Sequence, residues 1–165
     1  MIVSLKEIRN YIINVVVPLV VGAAGVLGVR MCSGMNMANV YEGLTKPSFA
    51  PPVSVYPFVW VVIYILIGTS SYMIRRNDNR SNKVKDAMFY YSVQLGLNFL
   101  WIVLFLGFGL RFTALVCLCI MIAVVVFMIM SFSNVDRKAG YINLIYLVWL
   151  VYLGFMNYFL WLVNC

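Results

Sequence analysis

Residues 40–72 read VYEGLTKPSFAPPVSVYPFVWVVIYILIGTSSY, and the change of character within this stretch decides the fold. Its first half is punctuated by Pro47, Pro51, Pro52 and Pro57. Each proline removes a backbone donor and pushes the residue before it out of the helical region, so a loop is expected here and a helix is not. Residues 55–74 then form an apolar run of 20 residues without a charge. At helical rise that run crosses the ~30 Å hydrocarbon core of a bilayer. A polar, proline-stiffened lid therefore leads directly into a membrane helix.

The remainder of the chain has the same composition. Hydrophobic residues make up 64% and charged residues 10% of its 165 positions, against roughly 45–50% and 25% in soluble domains. Four further apolar runs accompany the first, giving spans at 11–29, 55–74, 88–110, 112–132 and 139–163, none of which contains Asp, Glu, Lys or Arg. Each reaches the ~17–25 residues that a crossing requires, so the expected fold is an all-α membrane protein, a five-transmembrane-helix bundle forming one domain over residues 1–165. Arg111 marks a very tight turn between the third and fourth spans. Lys6 and Arg9 ahead of the first run also resemble the basic start of a signal peptide. The run is long for that role and no clear A-x-A site follows it, which favours an uncleaved helix.

The net charge of +7 does not point to nucleic acid, because the basic residues sit in short segments between apolar runs. They are better placed to set orientation. The N-terminus, the second loop and the fourth loop hold Lys6, Arg9, Arg75, Arg76, Arg80, Lys83, Lys85, Arg137 and Lys138, nine in all. The other side holds three, Arg30, Lys46 and Arg111. Nine against three predicts the N-terminus inside, the C-terminus outside and the proline loop on the outer face. A basic second loop recruiting anionic lipid is compatible with the same topology.

Several function classes are excluded. Ion-coupled transporters and proton relays need ionisable groups within the bilayer, and these spans supply none. The chain has no His, and Cys32, Cys117, Cys119 and Cys165 show neither zinc spacing nor a C-x-x-C pair, so no metal and no cofactor is expected. The spans offer aromatic and amide stripes instead. Trp60, Tyr64 and Gly68 share one helical face; so do Gln94, Asn98, Trp101 and Phe105, and so do Tyr146, Trp149, Leu153 and Asn157. Asn and Gln in hydrocarbon require partners, so these faces are expected to point inward, either as ordinary interhelical glue or as the lining of a ligand pocket. Gly22, Gly25 and Gly28 allow close approach of another helix, within the bundle or in a dimer.

The order Lys46-Pro47, Phe49, Pro51-Pro52, Trp60, Tyr64, Gly68, Tyr72 resembles the translocator protein family, also called TspO, tryptophan-rich sensory proteins or peripheral-type benzodiazepine receptors. Residues 22–25 (GAAG) look like its glycine-rich segment, residues 94–101 (QLGLNFLW) like its third-helix motif, and residues 146–149 (YLVW) with Asn157, Tyr158 and Trp161 like its fifth. The resemblance covers nearly the whole chain. It implies a five-helix bundle, usually a homodimer, with an internal pocket covered by the first loop. Ligands of the family are protoporphyrin IX and other tetrapyrroles, synthetic isoquinoline-carboxamides and benzodiazepines, and in animals cholesterol.

Carried over residue by residue, the resemblance puts Tyr41, Pro47, Trp60, Asn98, Trp101, Trp149 and Leu153 in the ligand site, with Trp60 and Trp149 on opposite walls. Aromatic faces suit a flat apolar macrocycle, and indole and amide N–H groups suit its carbonyl or carboxylate edges. Lys46 or Arg30 near the outer mouth offers a partner for propionates. The chain departs from the family pattern at Val40 and Phe49, where many members carry tryptophan, and at Cys117, where many carry an acid. Further departures are Ile145 in place of proline, Leu153 in place of a small alanine of animal members, and the lack of a basic residue after Tyr158. Together they argue against cholesterol import, and a bacterial cell membrane is the expected location. The implied function is porphyrin binding in sensing, sequestration or transport. The alternative is light- and oxygen-dependent degradation of protoporphyrin IX, with Trp60 and Trp149 as the catalytic residues.

Overall fold

A computed structural model describes residues 5–77 and 81–164; Arg80 and Cys165, which enter the charge and cysteine readings, lie outside them. The elements are α1 (Leu5–Ser33), α2 (Met37–Glu42), α3 (Val55–Arg75), α4 (Asn82–Ile102) continued by a π-helical turn (Val103–Gly107), α5 (Arg111–Ser133) and α6 (Arg137–Val163). Five of these helices are long and apolar enough to cross a membrane, α4 together with its π turn counting as one. All-α architecture with five membrane spans is therefore the observed fold.

Each helix runs past the apolar segment that announced it. α1 begins at Leu5 and takes in Lys6, Glu7 and Arg9, and α4 begins at Asn82 and takes in Lys83, Lys85 and Asp86. A helix does not end where the hydrocarbon ends, since backbone hydrogen bonding continues into charged turns that water can reach. The third span also stops at Gly107 rather than at residue 110, because Gly109 adopts φ +68 and reverses the chain. The part of the 40–72 stretch before residue 55 is expected to be a loop, yet α2, residues 37–42, runs into its start. The prolines start only at Pro47, so nothing interrupts the MANVYE segment until Gly43.

The spans close into a ring in which α1 packs on α3, α3 on α6, α6 on α5, α5 on α4, and α4 with its π turn on α1. α1 is the most peripheral. Its buried residues are Asn14, Pro18, Gly22, Gly25 and Val29, one narrow stripe at helical spacing. The rest of its surface, including Ile12, Ile13, Val16, Val17 and Val20, is exposed apolar side chain that lipid would cover. The glycine stripe serves the bundle: a side chain at Gly22 would run into Tyr64, at Gly25 into Ile102 and at Gly28 into Val103.

The closest approach of α1 and α3 lies deeper. A β-carbon on Gly68 would stand 2.6 Å from Val15 Cα and 2.7 Å from the Asn14 carbonyl oxygen. That carbonyl is also the one whose helical donor Pro18 cannot supply. Ser71 adds a hydrogen bond from its hydroxyl to Asn14 Oδ1 at 3.2 Å. At the far end of the bundle Asp136 caps α6 by accepting from the Lys138 and Ala139 amides, and its second oxygen lies 4.0 Å from Arg76.

Candidate functional site

Trp60 stands at the centre of the lid end of the ring. Its indole stacks on Tyr64 one turn deeper in α3, at 5.3 Å and 26°, and meets the rings of Trp101, Tyr146 and Trp149 at 6.2, 6.5 and 6.4 Å. Helical spacing on three helices delivers this cluster, since α3, α4 and α6 each turn one aromatic stripe inward. Gln94, Asn98, Asn143 and Asn157 are likewise buried, so the amides point inward as their chemistry requires.

The deeper amides are held from other helices. Tyr64 donates to Asn98 Oδ1 at 2.7 Å, and Tyr146 donates to Gln94 Oε1 at 3.0 Å. The second end of each amide, Asn98 Nδ2 and Gln94 Nε2, has no acceptor among the described residues. Turning either amide over would only exchange which end is left unpaired. Trp149 Nε1 is buried and unpaired in the same way. Trp149 Nε1 in the Trp60 layer and the two deeper amide donors thus have spare hydrogen-bonding capacity, each costing roughly 1–3 kcal/mol while unmatched.

Above Trp60 lies a cavity of about 40 Å³, walled by Tyr41, Tyr56, Trp60, Trp101, Phe105 and Leu153 among others, with Asn157 as its one amide. The lid forms its roof. Tyr41 donates to the Pro51 carbonyl at 3.0 Å and shares a hydrogen bond with Tyr56 at 3.1 Å. Lys46 turns back onto the lid itself, giving hydrogen bonds to the Tyr41 and Glu42 carbonyls and lying 4.9 Å above the Tyr41 ring. Its ammonium staples the end of α2, and Lys46 is not among the residues that line the cavity. Phe49 packs edge-on against Phe159 of α6 at 5.4 Å.

A polar chain links the cavity wall to the lid. Trp101 Nε1 donates to Asn157 Oδ1 at 3.1 Å, Asn157 Nδ2 donates to the Arg111 carbonyl at 2.9 Å, and Arg111 donates to the Asn164 carbonyl at 3.1 Å. The Asn164 side chain completes the chain by pairing with the backbone of Thr45, accepting at 2.8 Å and donating at 2.9 Å.

Of the seven ligand-site positions named from sequence, Tyr41, Trp60, Trp101 and Leu153 line the cavity together. Asn98 lies beneath the Trp60 layer, and half-buried Pro47 belongs to the lid without lining the space. Trp149 does not face Trp60 across a gap; the two rings touch edge-on at 86°. The cavity beside these rings, about 40 Å³, has room for a few water molecules. Tyr56 escaped the sequence reading although it sits one turn before Trp60 on the same stripe, where the i, i+4, i+8 spacing with Tyr64 would have found it. The aliphatic lining of Ile102, Leu106 and Leu160 carries no comparable signal.

A family model described as the TspO/MBR family matches residues 14–162 of this chain. The chain belongs to the TspO/MBR family. It is 29% identical over 159 residues to the tryptophan-rich protein TspO of Archaeoglobus fulgidus, covering 96% of this chain and 99% of that one. It is 31% identical to the translocator protein of Sus scrofa, covering 88% and 86% of the two chains. To the tryptophan-rich sensory protein of Cereibacter sphaeroides it is 29% identical over 66% of each. It is accordingly a TspO/MBR integral membrane protein with five candidate spans. Among the departures in this TspO/MBR chain, Val40 and Phe49 lie in the lid region and Cys117 is buried in α5. Leu153 is 3% exposed and narrows the cavity itself, whereas Ile145 and Tyr158 lie on the outer surface of α6.

Proposed function

We propose that the protein binds a tetrapyrrole-type ligand, with protoporphyrin IX as the natural probe, between the Trp60 aromatic layer and the lid, in sensing, sequestration or transport. The observation that carries this reading is the convergence of three indoles and three tyrosines from α3, α4 and α6, with Tyr41 from the lid, on one site that also holds an unpaired N–H donor. A flat macrocycle offers stacking faces to the rings, and its carboxylates or carbonyls accept from Trp149 Nε1. Pockets for ligands of drug size or larger measure roughly 300–1,000 Å³. Binding therefore requires the lid and the indoles to move apart from their contracted positions. Synthetic isoquinoline-carboxamide and benzodiazepine ligands are aromatic amides that suit the same surfaces. Titration of the purified protein with protoporphyrin, followed by tryptophan quenching, tests the reading: saturable quenching is expected, and quenching no stronger than in empty detergent micelles contradicts it.

A second reading is favoured by the edge contact of Trp60 with Trp149. Excited porphyrin generates singlet oxygen or accepts an electron, and adjoining indoles are readily oxidised neighbours, so degradation of the macrocycle by light and oxygen needs no acid, base or metal. Absorption under illumination separates the two: sequestration leaves the bound pigment no more bleached than pigment in detergent. The reading further includes a homodimer in a bacterial cell membrane, which the family resemblance implies, with the lid on the outer face on the strength of the charge asymmetry.

A further inference from the structure

At the end of the bundle away from the lid, α1 and α3 enclose an open groove of about 520 Å³. The two helices touch backbone to backbone at Gly68, and one turn further on Tyr72 stands edge-on to Tyr11 at 5.4 Å, where the groove begins. Three cations line it, Lys6 from the start of α1 and Arg75 and Arg76 at the end of α3. Among the described residues the lining holds one carboxylate, Glu7, and Arg76 also stands 4.0 Å from Asp136, so three positive charges face two negative ones and the balance is one positive. Asn10 and Tyr72 add neutral hydrogen-bonding groups. The basic character is local to one face of two helices, whereas Lys83 and Lys85 of α4 lie elsewhere on the same end.

The groove has an apolar side as well. Ile13 lines it, is 53% exposed, and continues along α1 into Val16, Val17 and Val20, all exposed and at helical spacing on one face. Cations and an unbroken apolar strip thus adjoin at the level where the hydrophobic span gives way to charged turns. A free phosphate would use only the first of these features; a molecule with a phosphate at one end and a hydrocarbon chain at the other uses both.

We propose that this groove binds one anionic phospholipid, its phosphate held by Lys6, Arg75 and Arg76 and an acyl chain lying along Ile13, Val17 and Val20. Arg guanidinium forks match phosphate oxygens, and basic residues near the surface attract an anionic leaflet. The bound lipid braces α1, the helix with the narrowest buried stripe, against α3.

The test is thermal unfolding of the purified protein in a neutral detergent, with phosphatidylglycerol, phosphatidylcholine or inorganic phosphate added at matched concentrations. Phosphatidylglycerol is expected to raise the melting temperature saturably, and the other two are not. The variant Lys6→Gln/Arg75→Gln should need at least about fivefold more phosphatidylglycerol for the same rise, while Lys83→Gln/Lys85→Gln should behave as wild type. Should the first variant fold poorly, Lys6→Gln alone, in an exposed first turn, carries the comparison with an expected loss of about twofold or more. Equal losses in the two double variants would mean diffuse attraction to a basic surface, and an equal effect of inorganic phosphate would mean a soluble-anion site. Either result overturns the proposal, as does an equal response to the two lipids.

Discussion

Trp60 and Trp149 meet edge to face, 6.4 Å between ring centroids and 86° between planes, directly beneath the lid. This contact must open if a macrocycle is to stack on either ring. Trp60→Phe and Trp149→Phe each leave a stacking surface, so both variants should keep porphyrin affinity within about threefold of wild type. If photodegradation operates, both should lose it, as measured by loss of porphyrin absorption under illumination. Degradation at the wild-type rate in both variants would remove the indoles from that chemistry.

Asn164 is the latch between the lid and the end of α6. Replacing it by Ala deletes the two hydrogen bonds to Thr45. At roughly 0.5–1.5 kcal/mol net for each, the lid should open about 5- to 150-fold more often while the bundle stays folded. Hydrogen exchange across residues 43–54 reads this directly, and unchanged protection there would show that Asn164 does not hold the lid.

Pro47→Gly acts on the same segment through the unliganded chain. A glycine increases the freedom that the lid must surrender when it closes over a ligand, so porphyrin binding should weaken by about two- to fivefold with an unaltered helical spectrum. Unchanged affinity would mean that the lid is a connector only.

Gly68→Ala forces a methyl group into the backbone of α1, 2.6 Å from Val15 Cα. Overpacking against backbone should cost about 1–3 kcal/mol and lower the melting temperature. Gly96→Ala is the control, because nothing stands within 4 Å of the added carbon on α4. It should be neutral or stabilising by up to ~1 kcal/mol. Equal responses of the two variants would show that the close approach of α1 and α3 is not a feature of the folded protein.

The spans and the inward faces were legible because both rest on rules that hold residue by residue. Apolar length requires a crossing, and the amides at 94, 98 and 157 had to face other helices. The stripe of Tyr146, Trp149 and Leu153 was legible for the same reason. What periodicity does not carry is the distance between stripes on different helices. It could not tell that Trp149 would touch Trp60, or that the space above them would shrink to about 40 Å³. The role of Asn164 was hidden for a different reason: a lone asparagine at the end of a helix has no pattern, and its partner Thr45 is 119 residues away. Lys46 was placed near the mouth by sequence position alone, and its reach back to the Tyr41 carbonyl depends on the fold of α2, which the prolines downstream of it concealed.

The most direct test of the aromatic site is equilibrium titration of the purified wild-type protein with protoporphyrin IX in the dark, following tryptophan fluorescence, alongside Trp60→Ala/Trp101→Ala. The account predicts saturable quenching for the wild type at a stoichiometry near one ligand per chain, with the affinity of the double variant reduced at least about tenfold by loss of two stacking partners. Wild-type quenching that never saturates, or a folded double variant that binds as tightly, would contradict it.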